Sequence, residues 1–284
     1  MALFRIAIDG GSQLAAGDID SGPRTLLPRD VTLDDLLRSG ADALRAAHDA
    51  ADGGAVPADA RILAPVQGQD VWASGVTYFR SRTARIEESQ DTAYDRVYEA
   101  ERPELFFKSR ASGVRGPGDT VGIRADSTWD VPEPELTLVI DGSGALAALT
   151  IGNDMSSRSI EGENTLYLPQ AKTYRHACAV GPALVLPHEV GDPMDLGIRL
   201  LIERAGDVVF EGTSRTSEMR RNITELREWL FVANDFPEGV LLMTGTGIVP
   251  DSPFTLAAGD RVTIAIEGLG SLTNSVETVG RTAP

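Results

Sequence analysis

The chain has 284 residues and a mass of 30.2 kDa, with 26 Lys and Arg against 42 Asp and Glu, a formal charge of −16 and a pI near 4.6. That length and a 42% hydrophobic content suit one sizeable globular domain with a small appendage. The acidic excess argues against a nucleic-acid or anionic-membrane surface, because phosphate binding needs clustered Lys and Arg. A small anionic substrate would need local cations to overcome that field. Cys178 is the single cysteine, which excludes an internal disulfide and Cys-rich zinc sites and fits a reducing compartment. No apolar run approaches the roughly 18–20 residues of a membrane helix. The N-terminal MALFRIAIDG turns polar too early for a secretory signal. The expectation is a soluble cytoplasmic protein.

In chain order, Leu3 to Ile8 reads as a strand closed by the turn Asp9-Gly10-Gly11. Thr32 has the character of an N-cap, with Asp34 and Asp35 in the first turn. Leu33, Leu36, Leu37, Ala41 and Leu44 then recur at helical spacing, predicting one amphipathic helix over 33–50. The Ala-, Gly-, Asp- and Pro-rich stretch 51–60 resembles a linker, so a small N-terminal α/β segment is expected over 1–60 and the catalytic domain over 61–284. A second helix is expected from Ser81 to Glu101 and a third from Ser217 to Phe231, the latter with Met219, Ile223, Leu226 and Leu230 on one face. Short apolar runs separated by Gly, Pro and Asp predict strands over 136–140, 145–151, 183–186, 198–203, 208–210, 241–244 and 261–267. The fold class is α+β with a β-dominated main domain.

The most informative segment is Asp130-Val-Pro-Glu133-Pro-Glu135, followed by an apolar run to Ile140 and then by Ile151-Gly-Asn153-Asp154. Glu133 and Glu135 are two residues apart on backbone that Pro132 and Pro134 hold extended, so both carboxylates share a face. A hairpin return through Asp141-Gly142-Ser143-Gly144 could bring Asp154 beside them. Three hard oxygen ligands without Cys or His suit Mg²⁺, with Mn²⁺ or Ca²⁺ as alternatives, better than zinc. A bare Glu-x-Glu is also the pattern of a solvated edge strand, and spacing alone leaves both readings open.

These residues resemble the signature of the fumarylacetoacetate hydrolase family, a Glu-x-Glu strand followed by Asn-Asp-x-Ser-x-Arg, here Glu133-Pro-Glu135 and Asn153-Asp154-Met-Ser156-Ser-Arg158. The likeness continues through Phe107-Lys108, Gly116-Pro-Gly118-Asp119, Lys172, Cys178-Ala-Val-Gly181-Pro182, Thr244-Gly245-Thr246-Gly247, Gly259-Asp260 and Gly268-Leu-Gly270-Ser-Leu-Thr-Asn274. In that order the elements cover roughly residues 70–280. The resemblance implies a mixed β-sandwich roll that assembles as a homodimer or higher homo-oligomer. It makes Glu133, Glu135 and Asp154 the divalent-metal ligands, Lys172 the active-site lysine, and Lys108 and Thr246 pocket residues for a small 2-oxo acid.

One departure bears on the reaction. Hydrolases of the family carry Asn-Tyr-x-Asp-His-x-x-Glu near the domain entry, whose His and Glu activate water. Here Ser81 stands in the place of the His and Ala84 in that of the Glu. Neutral serine is a poor base. His48, His176 and His188 are the chain's histidines, and only His176, four residues past Lys172, lies close in sequence to a site residue. The Ser81-Arg82 replacement, together with Ile160-Glu161-Gly-Glu163-Asn164 and Leu168-Pro-Gln170-Ala-Lys172, resembles the family's sugar-acid dehydratase branch. That branch implies dehydration of a 2-keto-3-deoxy sugar acid through a metal-stabilised enolate, with Lys172, Glu161 and Glu163 as candidate proton-transfer groups and Ser81 and Arg82 contacting substrate. The alternative is C–C bond hydrolysis of an acylpyruvate, 2,4-diketo acid or similar substrate.

Overall fold

The computed structural model describes residues 1–8, 10–81 and 97–281. Its centre is the strand Pro134–Ile140, hydrogen-bonded on one side to Leu146–Asp154 and on the other to Val240–Met243, all antiparallel. The sheet continues past Leu146–Asp154 to Cys178–Val185 and then to the N-terminal strands Ala2–Ile8, Gly11–Asp18 and Gly22–Leu26. Beyond Val240–Met243 it ends with Val71–Gly75 and Glu104–Ser109. A second sheet runs in the order Asp207–Arg215, Gly197–Arg204, Arg261–Ile266, Gly270–Val279, Thr120–Arg124.

Strand Pro134–Ile140 is buried along its whole length, which overturns the edge-strand reading. Leu136, Leu138 and Ile140 join a core with Ile198, Leu200, Ile202 and Val262 of the second sheet. Val139 faces the other way, into a core with Leu33, Leu37 and Leu44. A sheet covered on both faces needs apolar residues at consecutive positions, hence the unbroken Leu-Thr-Leu-Val-Ile run. The predicted strands all form, several extended at one end, as in Leu146–Asp154 and Cys178–Val185. Strands Gly11–Asp18, Val71–Gly75 and Gly270–Val279 were not anticipated.

Two helix expectations are corrected. The helix over 33–50 is two, Leu33–Ser39 and Ala41–Asp49, broken where Gly40 takes φ 102°. The second is capped from far away, its Ala41 N–H donating to Asp141 Oδ2 at 2.7 Å. Thr32 does cap the first, accepting from Asp35 N at 3.1 Å. The helix expected from Ser217 begins only at Ile223, because Asn222 caps it by accepting from Thr224 N at 2.7 Å. Upstream, Met219 bridges to Tyr78 in extended conformation. Of the helix expected over 81–101, residues 82–96, Arg82 and Ala84 among them, lie outside the described residues, as does Asp9 of the first turn.

Candidate metal centre and active site

The hairpin of Pro134–Ile140 and Leu146–Asp154 builds the site. Its turn is locked by Asp141, whose Oδ1 accepts from Ser143 N at 2.8 Å and Ala145 N at 3.0 Å, while Gly144 adopts φ 86°. The register sets Glu135 opposite Gly152 and Pro134 opposite Asn153. Asp154 N then donates to Glu133 O at 3.0 Å, bringing the third carboxylate alongside the first two. One ligand oxygen from each of Glu133, Glu135 and Asp154 lies within 4.8 Å of the others, and all three residues are no more than 3% exposed.

Three cations face these carboxylates. Glu133 Oε1 accepts from Arg158 at 2.6 Å and Oε2 from Lys172 Nζ at 2.7 Å. Lys172 Nζ also donates to Asp154 Oδ2 at 3.2 Å and to Ser156 Oγ. Asp154 Oδ1 is paired with Lys108. Glu135 Oε2 accepts from Gly245 N at 2.6 Å, in the loop that follows Val240–Met243. Burial and the neighbouring charges of Asp154 and Glu133 nevertheless hold the Glu135 carboxyl well above the usual carboxylate range.

The sequence-derived site residues fall into distinct places. Ser81 and Thr246 line the same cavity as the three carboxylates and Lys172. Ser81 Oγ donates to Tyr78 O at 2.8 Å and Thr246 Oγ1 to Ile248 O at 3.1 Å. Lys108 is buried and does not line that cavity among the described residues. Glu161 is 1% exposed on the short helix Arg158–Glu163, and Glu163 is exposed at that helix's end. Arg82 lies outside the described residues. His176 pairs with Glu277 of the last strand and not with the carboxylates. Arg158, Ser156 and the Gly245 amide were given no role from sequence. Ser156 carried a signal, since it sits two residues from Asp154 on extended chain and so can share its face.

All-oxygen donors, crowded in a buried cluster whose like charges repel, fit a hard divalent cation. Such an ion would be held by Glu133, Glu135 and Asp154.

Residues 71–277 match the family model described as the fumarylacetoacetate hydrolase C-terminal domain. A probable 2-keto-3-deoxyxylonate dehydratase of Haloferax volcanii is 50% identical over 223 residues, 78% of this chain and 76% of that protein. The 2-dehydro-3-deoxy-D-arabinonate dehydratase of Saccharolobus solfataricus is 42% identical over 224 residues, 77% of this chain and 75% of its own. A solved 2-keto-3-deoxy-D-arabinonate dehydratase complexed with magnesium and 2,5-dioxopentanoate superimposes with a TM-score of 0.85 at 35% identity, over 99% of this chain and 100% of that one. With the buried carboxylates, their hairpin and the family match in agreement, the chain belongs to the fumarylacetoacetate hydrolase family.

Proposed function

We propose that this chain is a Mg²⁺-dependent dehydratase that converts a 2-keto-3-deoxy sugar acid, such as 2-keto-3-deoxy-D-arabinonate, to 2,5-dioxopentanoate and water. The observation that carries the reading is the buried Glu133, Glu135 and Asp154 cluster facing Lys172, in a chain that has Ser81 where a hydrolytic histidine would stand. When bound, Mg²⁺ supplies a Lewis acid that polarises the C2 carbonyl and acidifies the C3 hydrogens. Lys108, Lys172 and Arg158 pair with Glu133 and Asp154, so a divalent ion leaves the pocket positive and receptive to a carboxylate. Lys172 bonds the same carboxylates that hold the ion, and in its amine form it takes the C3 proton. The electron pair expels the C4 hydroxyl, which leaves as water with a proton from Glu161. Transfer of a proton from C5 to C3 then gives the C4–C5 enol, whose hydroxyl proton passes to C4 to leave the C5 aldehyde. Of the two glutamates, Glu161 takes the donor role because it is buried, whereas Glu163 faces solvent. Ser81 and Thr246 line the cavity and contact the substrate there, and Arg82 completes its binding.

Incubation with 2-keto-3-deoxy-D-arabinonate and Mg²⁺ should release 2,5-dioxopentanoate and lose the activity with EDTA. Pyruvate from a 2,4-diketo acid, without dehydration of the sugar acid, would overturn the assignment. The proposal includes a roll-like closure of the two sheets, a cytoplasmic setting and assembly as a homodimer or higher homo-oligomer. Exposed Val208 and Val209 on Asp207–Arg215, at the edge of the second sheet, support the assembly. Light scattering at the 30.2 kDa mass of one chain would refute it.

A further inference from the structure

We propose that Lys108 is a positioning residue, a buried clamp that ties the metal ligand Asp154 to the helix end bearing Lys172, and that it does not contact substrate. The proposal deepens the dehydratase reading and rests on it for the identity of the ligands. Three protein oxygens surround the Lys108 ammonium: Asp154 Oδ1, Met155 O at 3.0 Å and Lys172 O. The ammonium donates to the two backbone carbonyls and its charge is paired with Asp154, so protein oxygens surround it. Its side chain is 0% exposed. The surroundings are not improvised: Lys108 lies on strand Glu104–Ser109, next to Val71–Gly75, whose last residues line the cavity.

The clamp has a geometric consequence. Asp154 ends one strand and Lys172 ends the helix Leu168–Lys172, so no shared backbone ladder fixes their separation. Lys108 bridges them from a third element, holding one carboxylate oxygen of Asp154 while the other meets Lys172 Nζ. Its grip on the Lys172 carbonyl fixes where that side chain starts. Loss of the clamp therefore disturbs a ligand and a proton-transfer group together, while a substrate contact would disturb substrate affinity alone.

The test is Lys108→Met, with Mg²⁺ affinity measured by calorimetry on the metal-free protein and kcat and KM measured at saturating Mg²⁺. Outer hydrogen-bond partners of metal ligands carry about 10–100-fold in affinity or activity. A rise of that size in the Mg²⁺ Kd, with a fall in kcat and a KM for the 2-oxo acid within about twofold of wild type, is the expected result. A KM raised about tenfold or more with an unchanged Mg²⁺ Kd would overturn it. The Mg²⁺ titration needs no turnover, so it judges Lys108 even if the wild-type protein proves inactive on sugar acids. Should the variant not fold, a crystal structure of the wild-type protein with Mg²⁺ and a bound 2-oxo acid decides. Lys108 Nζ should keep its three protein oxygens, and a hydrogen bond to the ligand within about 3.2 Å would refute the clamp.

Discussion

The Glu135 side chain shows how burial and function pull against each other. It is 1% exposed, beside two other carboxylates, and its carboxyl is raised by desolvation and like charge, yet it faces the Gly245 amide as a ready acceptor. Glu135→Gln removes that ligand charge while keeping shape and an acceptor. Mg²⁺ affinity and turnover should fall by more than the roughly 10–100-fold that outer partners carry, with the melting temperature retained. Unchanged turnover would remove Glu135 from the site. Cys178 is the opposite case, a side chain without a part in the chemistry. Burial pushes its thiol up to about 12, and the thiolate is the reactive form. Iodoacetamide should leave the native protein unlabelled at neutral pH and modify it once after denaturation; fast native labelling would show that the site opens. Asp130 supplies a pH-dependent stability. Burial raises its carboxyl to about 6 in the folded state, above the usual unfolded value near 3.9. The folded protein binds that proton more tightly, so this group's stabilising contribution is full below about pH 4 and lost as pH rises through about 6. Asp130→Asn has no such titration. Its stability relative to wild type, read from urea midpoints, should therefore improve between about pH 4 and pH 7, and a constant difference would refute the assignment.

Among the elements, the carboxylate hairpin was legible and its surroundings were less so. The prolines, the Asp-Gly-Ser-Gly turn and the apolar run each point to a hairpin by local chemistry, and the register in fact sets Glu135 opposite Gly152. Helix ends were read less well because their caps come from elsewhere. Asp141, a residue of the hairpin turn, caps the helix that starts at Ala41, and no window around Gly40 reveals that partner. Asn222 is a local cap, but the apolar spacing of Met219 with Ile223, Leu226 and Leu230 masked it, since Met219 is buried in a bridge to Tyr78 rather than on the helix. Asn222→Ala should cost about 1 kcal/mol, measured by denaturant unfolding, with little change in Mg²⁺ affinity. The loop after Val240–Met243 is more demanding. Gly245 has φ 93°, and a Cβ there would lie 2.0 Å from Thr77 Oγ1. Gly245→Ala should destabilise by at least roughly 1–2 kcal/mol from backbone strain alone and weaken Mg²⁺ binding through the lost alignment of the amide with Glu135. A variant with wild-type stability and affinity would show that the loop is slack.

At the scale of the molecule, the N-terminal segment is built into the main sheet, with Ala2 and Leu3 pairing Val185 and Leu184. Phe4 and Ile6 enter the core between the sheets, while Leu33, Leu37 and Leu44 cover the other face. Removing residues 1–60 should therefore expose an apolar face and yield an aggregating product in gel filtration; a soluble, active product would show that the segment is dispensable. The charge of −16 belongs to the surface at large. In the site Lys108, Lys172 and Arg158 pair with Asp154 and Glu133, an arrangement that the global balance gives no hint of. By itself the sequence determined the α+β class and three hard oxygen donors close in chain, because these rest on residue chemistry and on spacings within one or two elements; the resemblance to the family is what made the donors metal ligands and marked Ser81 as standing in place of a hydrolytic histidine. Only the tertiary structure decided that the Glu-x-Glu strand is central rather than an edge, that Glu161 is buried and Glu163 exposed, and that Lys108 is enclosed by protein oxygens. Burial and pairing of a charge depend on what distant strands lay against it, and that information is spread over contacts far apart in the chain.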